Sequence, residues 1–202
     1  MDYDVFLKEV EEHGFIWAVI FNSEKNIPGS FFDNFGDFNQ WCEIFRKLPD
    51  SCVMKILAIQ KMSIAKTFDE QRKALSLLNE LFLFWKSISS DLKETVITAI
   101  NLILSEMTKP ENKRTFDEWF QVLDDIKLFD GARNRVLVEM SKLAKTYEQW
   151  RLIYLHSRSN EINKRAYSMM NALIKNDDQY FDFHFELFPA SHGIAISRMI
   201  KK

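Results

Sequence analysis

The side chains able to carry catalysis or hold a metal are few in this sequence, and their spacing suits neither task. The four histidines are His13, His156, His184 and His192. None falls into the His-x3-His or His-Glu-x2-His spacing that sets two imidazoles on one helix face for zinc. Asp182, His184 and Glu186 stand two residues apart, a step that on a helix turns successive side chains by about 200°, so His184 faces away from the two acids and the three cannot converge. They are read as solvent-facing polar residues of an aromatic-rich helix. Glu11-Glu12-His13, ahead of Gly14, could pair a carboxylate with an imidazole but reads as the polar end of a surface helix. Cys42 and Cys52 match no zinc spacing and no disulfide framework. They are expected to be buried thiols in a reducing compartment, with a single disulfide between neighbouring helices as the alternative. The five glycines form neither a phosphate-binding loop nor a dinucleotide fingerprint, and no Gly-x-Ser-x-Gly elbow occurs. These patterns assign no catalytic residue, no metal ligand and no cofactor. An enzyme remains only if its site is assembled in space from separate segments.

Charge is more informative. The formal net charge is −2, with no global bias toward nucleic acid or an anionic membrane. Its distribution is uneven. Residues 1–50 hold ten acids against four bases, whereas residues 133–175 hold nine bases (Arg133, Arg135, Lys142, Lys145, Arg151, Arg158, Lys164, Arg165 and Lys175) against Glu139, Glu148 and Glu161. The two stretches therefore carry −6 and +6.

The elements that must position these charges are helices. Five glycines and four prolines in 202 residues fall well below the average usage of about 7 and 5 per cent, and turn-rich β architectures need both. Nearly half the chain is hydrophobic, with 18 Phe, ample for inter-helix packing. The apolar run from Phe15 to Phe21 is too short to span a bilayer and follows Glu9, Glu11 and Glu12. No other segment approaches the roughly 20 apolar residues a span requires. The expectation is a protein with no membrane span and no signal peptide, cytoplasmic by default.

A repeat organises the chain. Asp37-Phe38-Asn39-Gln40-Trp41 is echoed by Thr67-Phe68-Asp69-Glu70-Gln71, Thr115-Phe116-Asp117-Glu118-Trp119 and Thr146-Tyr147-Glu148-Gln149-Trp150, and more faintly by Asn176-Asp177-Asp178-Gln179-Tyr180. Each echo has the chemistry of a helix start. An N-cap oxygen from Asp37, Thr67, Thr115, Thr146 or Asn176 serves free backbone N–H groups, and Glu or Gln three residues on reaches back to the cap. Apolar residues follow at i, i+3, i+7 and i+10, as in Phe38, Trp41, Phe45 and Leu48, which makes one stripe along a helix. Gln71 occupies the Trp slot of the second copy. Second helices carry the stripes Val136, Met140, Leu143 and Ile162, Ala166, Met169, Leu173. The second copy is longer: its first helix is expected to run from Phe68 to about Ser87 and its second from Asp91 to Met107. Trp85 is read as a core residue continuing the first of these.

The pattern predicts an all-α fold, a right-handed stack of antiparallel helical hairpins with about ten helices, solenoid-like in kind. One domain is expected over 1–202, with an N-terminal cap (1–36), hairpins 37–66, 67–114, 115–145 and 146–175, and a C-terminal cap (176–202). Over residues 37–188, repeat length and helix pairing resemble helical-repeat proteins of the tetratricopeptide and HEAT kind. The tetratricopeptide signature itself is absent, because Trp119 and Trp150 lack its downstream Gly. Phe38, Phe68, Phe116, Tyr147, Trp41, Trp119 and Trp150 are expected to pack repeats together; a ligand-gripping aromatic groove is the alternative.

A shift of 30 residues superposes Arg135 on Arg165 and Lys145 on Lys175. With Lys142 and Lys164 they are expected to form a basic face on the outer side of successive second helices. The leading expectation is a non-catalytic protein-interaction module or adaptor with an acidic protein partner. Binding of nucleic-acid phosphates through the same face is the second reading, and the opposed charges of the two stretches also allow head-to-tail self-association.

Overall fold

A capping oxygen and an apolar stripe are together enough to fix where a helix begins and which side it buries, and the chain uses both repeatedly. The computed structural model describes residues 37–48, 53–127 and 129–174, together with the exposed helical residues Lys8 and Glu12. The described residues contain eight α-helices and no strand: α1 (Phe38–Lys47), α2 (Val53–Met62), α3 (Phe68–Glu80), α4 (Ser90–Met107), α5 (Phe116–Asp125), α6 (Asp130–Leu143), α7 (Tyr147–His156) and α8 (Asn160–Leu173). The expected cap segments 1–36 and 176–202, including the cap residue Asn176, otherwise lie outside the described residues.

Four of the helices, α1, α3, α5 and α7, start with a full capping box. Asp37, Thr67, Thr115 and Thr146 each accept a hydrogen bond from the N–H three residues on, while Gln40, Glu70, Glu118 and Gln149 accept from the cap residue's N–H. Two boxes go further. Glu70 also accepts from Lys66 N (2.9 Å), and Gln149 from Lys145 N (2.7 Å). Each such box satisfies donors that the first helical turn leaves without intrahelical partners.

The stripes then bury. Trp41, Phe45 and Leu48 are buried in the first copy, Gln71, Leu75 and Leu78 in the second, Phe116, Trp119, Leu123 and Ile126 in the third, and Tyr147 and Trp150 in the fourth. Phe38 and Phe68 are half-buried. On α8 the buried residues are Ala166 and Met170, not Met169, which is 37% exposed. A step of four, Ala166 to Met170, therefore holds the inner line at this point of the helix.

The chain divides into two compact units, residues 1–132 and 133–202. In the first, α1 packs on α2 and α3 on α4, as hairpin partners do. In addition α1 and α5 each contact α3, and α2 contacts both α3 and α4. First helices thus touch first helices, and second helices touch second helices. In the second unit α7 and α8 form a closely packed pair.

One stretch departs from the expected helix. The α-helical run that begins at Phe68 ends at Glu80, seven residues before the expected Ser87, and continues as a 3-10 turn over Leu81–Phe84. The cause is visible in the side chains. A 3-10 turn eclipses residues three apart, and Phe82 and Trp85 accordingly stack with ring centroids 5.4 Å apart, while Phe129 meets both edge-on at 5.0 and 5.4 Å. Trp85, expected in the core, is half-buried in this cluster. Ser89 then caps α4, accepting from Leu92 N at 3.2 Å.

Candidate interaction surface

The basic residues of the second unit have unlike surroundings. Lys142, Lys145, Lys164 and Arg165 are exposed, Arg135 is half-buried, and Lys175 lies outside the described residues. Lys142 binds Glu139 one turn away through both carboxylate oxygens (2.7 and 2.9 Å). Arg165 lies 5.6 Å over the ring of Trp150, a cation–π contact that ties α8 to α7. Arg133 turns inward, its Nε donating to the carbonyl of His156 at 2.8 Å and so serving the C-terminal end of α7. Arg135 and Arg165, expected to be equivalent, thus differ in exposure, and Arg165 is partly engaged by an aromatic face. Among the described residues of the second unit the exposed bases are Lys142, Lys145, Arg158, Lys164 and Arg165.

In the first unit the charged side chains hold helices to helices. Arg72 on α3 forks onto Asp125 of α5 (Nε to Oδ2 2.7 Å, Nη2 to Oδ1 3.4 Å) and donates to Gln121 at 2.9 Å. Burial pushes the Asp125 carboxyl above its ordinary range, and Arg72 pulls against that shift. Lys73 reaches Asn39 of α1 at 2.7 Å and lies 5.9 Å over Phe38. Gln71, in the Trp slot, is fully buried and engaged at both ends of its amide: Nε2 donates to Ala65 O (3.3 Å), and Oε1 accepts from Arg114 Nη2 (3.2 Å). Arg114 in turn lies 4.5 Å over Phe68. Lys55, 6% exposed, donates to the carbonyl of Leu48 at 3.0 Å and lies 4.8 Å over Phe45. Sequence reasoning missed Gln71–Arg114, Arg72–Asp125 and Lys55. Only the first left a signal, a glutamine standing where its sister repeats hold tryptophan.

No family model, curated protein or solved structure matches the chain with significance. What the site can do rests on its own chemistry.

That chemistry offers little to a reaction among the described residues. No three His, Cys, Asp or Glu side chains converge so as to hold a metal ion. Cys42 is a free thiol, 1% exposed, and burial raises its pKa to about 11, which keeps it in the unreactive thiol form. Cys52, His13, His184 and His192 lie outside the described residues. His156 is taken up with Arg133, whose Nη2 stands 3.5 Å from its Nδ1. Glu70 is held below its ordinary range by the backbone N–H groups of Thr67 and Lys66, as a capping group is. No helix among the described residues is long and apolar enough to cross a membrane.

Two open clefts lie in the first unit. One, of about 380 Å³, sits beside Trp41, Phe38, Lys61, Ile64 and Glu70. The other, of about 370 Å³, runs between α2 and α4.

Proposed function

We propose that this chain is a non-catalytic protein-interaction module, a right-handed stack of helical hairpins whose exposed basic side chains in the second unit meet an acidic protein partner. The observation that carries the reading is the packing of like helix on like helix in the first unit: α1 and α5 on α3, and α2 on α4. Stacked hairpins of this kind bury one face against their neighbours and leave the outer faces to bind. The four capping boxes, spaced 30, 48 and 31 residues apart, support a repeating unit. About ten helices follow if the terminal segments add two more. Lys142, Lys145, Lys164 and Arg165, exposed on the second unit, supply positive charge that an acidic surface would complement.

The test is affinity capture with the tagged full chain from cell lysate, with and without nuclease, followed by binding of the identified partner to purified protein. The expected partner is a protein that survives nuclease and binds at least tenfold more weakly to a Lys145→Glu/Lys164→Glu variant. Recovery of nucleic acid that nuclease removes would replace this reading with phosphate-backbone binding. Equal affinity of a folded double variant would remove the basic residues from the interface.

A further inference from the structure

The cleft between α2 and α4 has a chemistry opposite to that of the basic residues. Along α4 its wall is formed by Asp91, Glu94, Thr98 and Leu102, and along α2 by Ile56 and Gln60. From Asp91 to Leu102 is eleven residues of helix, about 16 Å at 1.5 Å per residue. The volume, about 370 Å³, lies toward the lower end of the ~300–1,000 Å³ usual for binding clefts.

Three features mark what it would accept. Its two ionised groups are both carboxylates, with no cation in the lining. Glu94 makes no hydrogen bond or ion pair among the described residues, and the carboxylate of Asp91 accepts only a long bond, 3.4 Å, from Ser90. The hydroxyl of Thr95 is already spent on its own helix, donating to Asp91 O at 2.8 Å, and that of Ser63 likewise to Gln60 O at 2.7 Å. Away from the acids the lining is uncharged: Ala99 is buried at the base and Leu102 is 53% exposed on the wall, with the polar Thr98 and Gln60 beside them. A concave surface with carboxylates at one end and an exposed leucine on an uncharged wall at the other is matched by a helix with cations at one end and an aliphatic side chain beyond them.

We infer that the α2–α4 groove docks an amphipathic helical segment of a partner protein, with Lys or Arg set against Asp91 and Glu94 and a branched aliphatic side chain against Leu102. This rests on the reading of the chain as an interaction module but uses a different unit and the opposite charge. Complementary charges would fix the orientation of the segment and speed its capture. The aliphatic contact would supply the desolvated centre on which binding energy concentrates.

The probe is a labelled alanine-based helical peptide of about fourteen residues, ~21 Å long, with two Arg in its first turn and two Leu two to three turns later. Its binding to the full chain is followed by fluorescence anisotropy at low salt. Saturable binding is expected, weakened about tenfold by Asp91→Asn/Glu94→Gln and about tenfold by Leu102→Ser, and unchanged by Lys145→Glu/Lys164→Glu. All these side chains are exposed, and thermal melts verify that each variant folds. A peptide with Glu in place of Arg is expected to bind at least tenfold more weakly. Absence of saturable binding, or equal affinity for the folded groove variants, would overturn the proposal while leaving the basic-face reading intact. Loss of binding in the Lys145→Glu/Lys164→Glu variant would overturn it by placing the peptide elsewhere. Self-association of the chain abolished by Leu102→Ser, seen by sedimentation, would overturn it in favour of a second copy as occupant.

Discussion

Gln71 shows how a single side chain can stand in for a larger one. Its sister positions hold Trp41, Trp119 and Trp150, all buried. A glutamine there fills less volume and brings an amide into the core, where each polar atom left without a partner costs about 1–3 kcal/mol. Ala65 O and Arg114 supply those partners. Gln71→Ala removes both bonds and is expected to lower stability by roughly 2–3 kcal/mol, measured by urea unfolding. A change below about 0.5 kcal/mol would mean that the amide is not integral to the packing. Cys42 makes the complementary case of a reactive group silenced by its surroundings. With its pKa raised to about 11 by burial, and in a Cys52→Ser background, it is expected to resist a thiol-specific reagent at pH 8 and to react fully once urea unfolds the chain. Rapid labelling of the native protein would contradict its burial.

At the scale of elements, the caps and stripes decide where helices stand, and these were legible in the sequence. A capping box is a contact within four residues, so its residue types and spacing suffice to locate Thr67, Thr115 and Thr146. The end of α3 was not legible. Leu81-Phe82-Leu83-Phe84-Trp85 continues an apolar run with no breaker, and the switch to a 3-10 turn depends on Phe129, more than 40 residues away in the chain. The Arg72–Asp125 fork is hidden for the same reason, its partners standing 53 residues apart, whereas Lys55, whose partner Leu48 is seven residues away, is hidden because lysine usually lies at the surface. Loss of a cap, as in Thr115→Ala or Thr146→Ala, is expected to cost roughly 1 kcal/mol. Trp119→Ala or Trp150→Ala is expected to cost roughly 3–5 kcal/mol. Thermal and urea melts that rank them the other way would refute the division between helix-starting and packing residues. The boxes also carry a pH signature. Glu70 is held below its ordinary value of 4.5 by two backbone N–H groups, so the stabilisation its charge provides is present above pH 4.5 and lost as pH falls through the lowered value. Glu70→Gln keeps an acceptor oxygen, as Gln40 and Gln149 do in the equivalent boxes. The variant is therefore expected to be slightly less stable than wild type at pH 7, with the difference closing as pH falls below 4.5 and through the lowered value. Parallel stability curves across that range would show that the carboxylate charge contributes nothing.

For the whole molecule, the informative quantity is the separation of charge rather than its sum. A net charge of −2 predicts no strong attraction to any surface, yet residues 133–175 carry +6. At low ionic strength the proposed acidic partner would meet that local field, because the Debye length of about 30 Å at 0.01 M reaches across a small domain, whereas at 1 M it shrinks to about 3 Å and only direct contacts survive. Not all nine bases contribute equally. Arg133 is committed to the end of α7, Lys142 shares its charge with Glu139, and Arg165 leans on Trp150. Reversing Lys145 and Lys164 should therefore remove a disproportionate share of the outward field while leaving packing untouched. Association of the identified acidic partner with wild type is expected to slow by tenfold or more between low and high salt, and the Lys145→Glu/Lys164→Glu variant to show a markedly flatter dependence, the two rates converging at 1 M. Stopped-flow association across a salt series measures both. The same steep slope in both proteins would place the steering charges elsewhere on the chain; a flat response in both would mean that the partner is held by apolar contacts and that the basic residues serve only solubility.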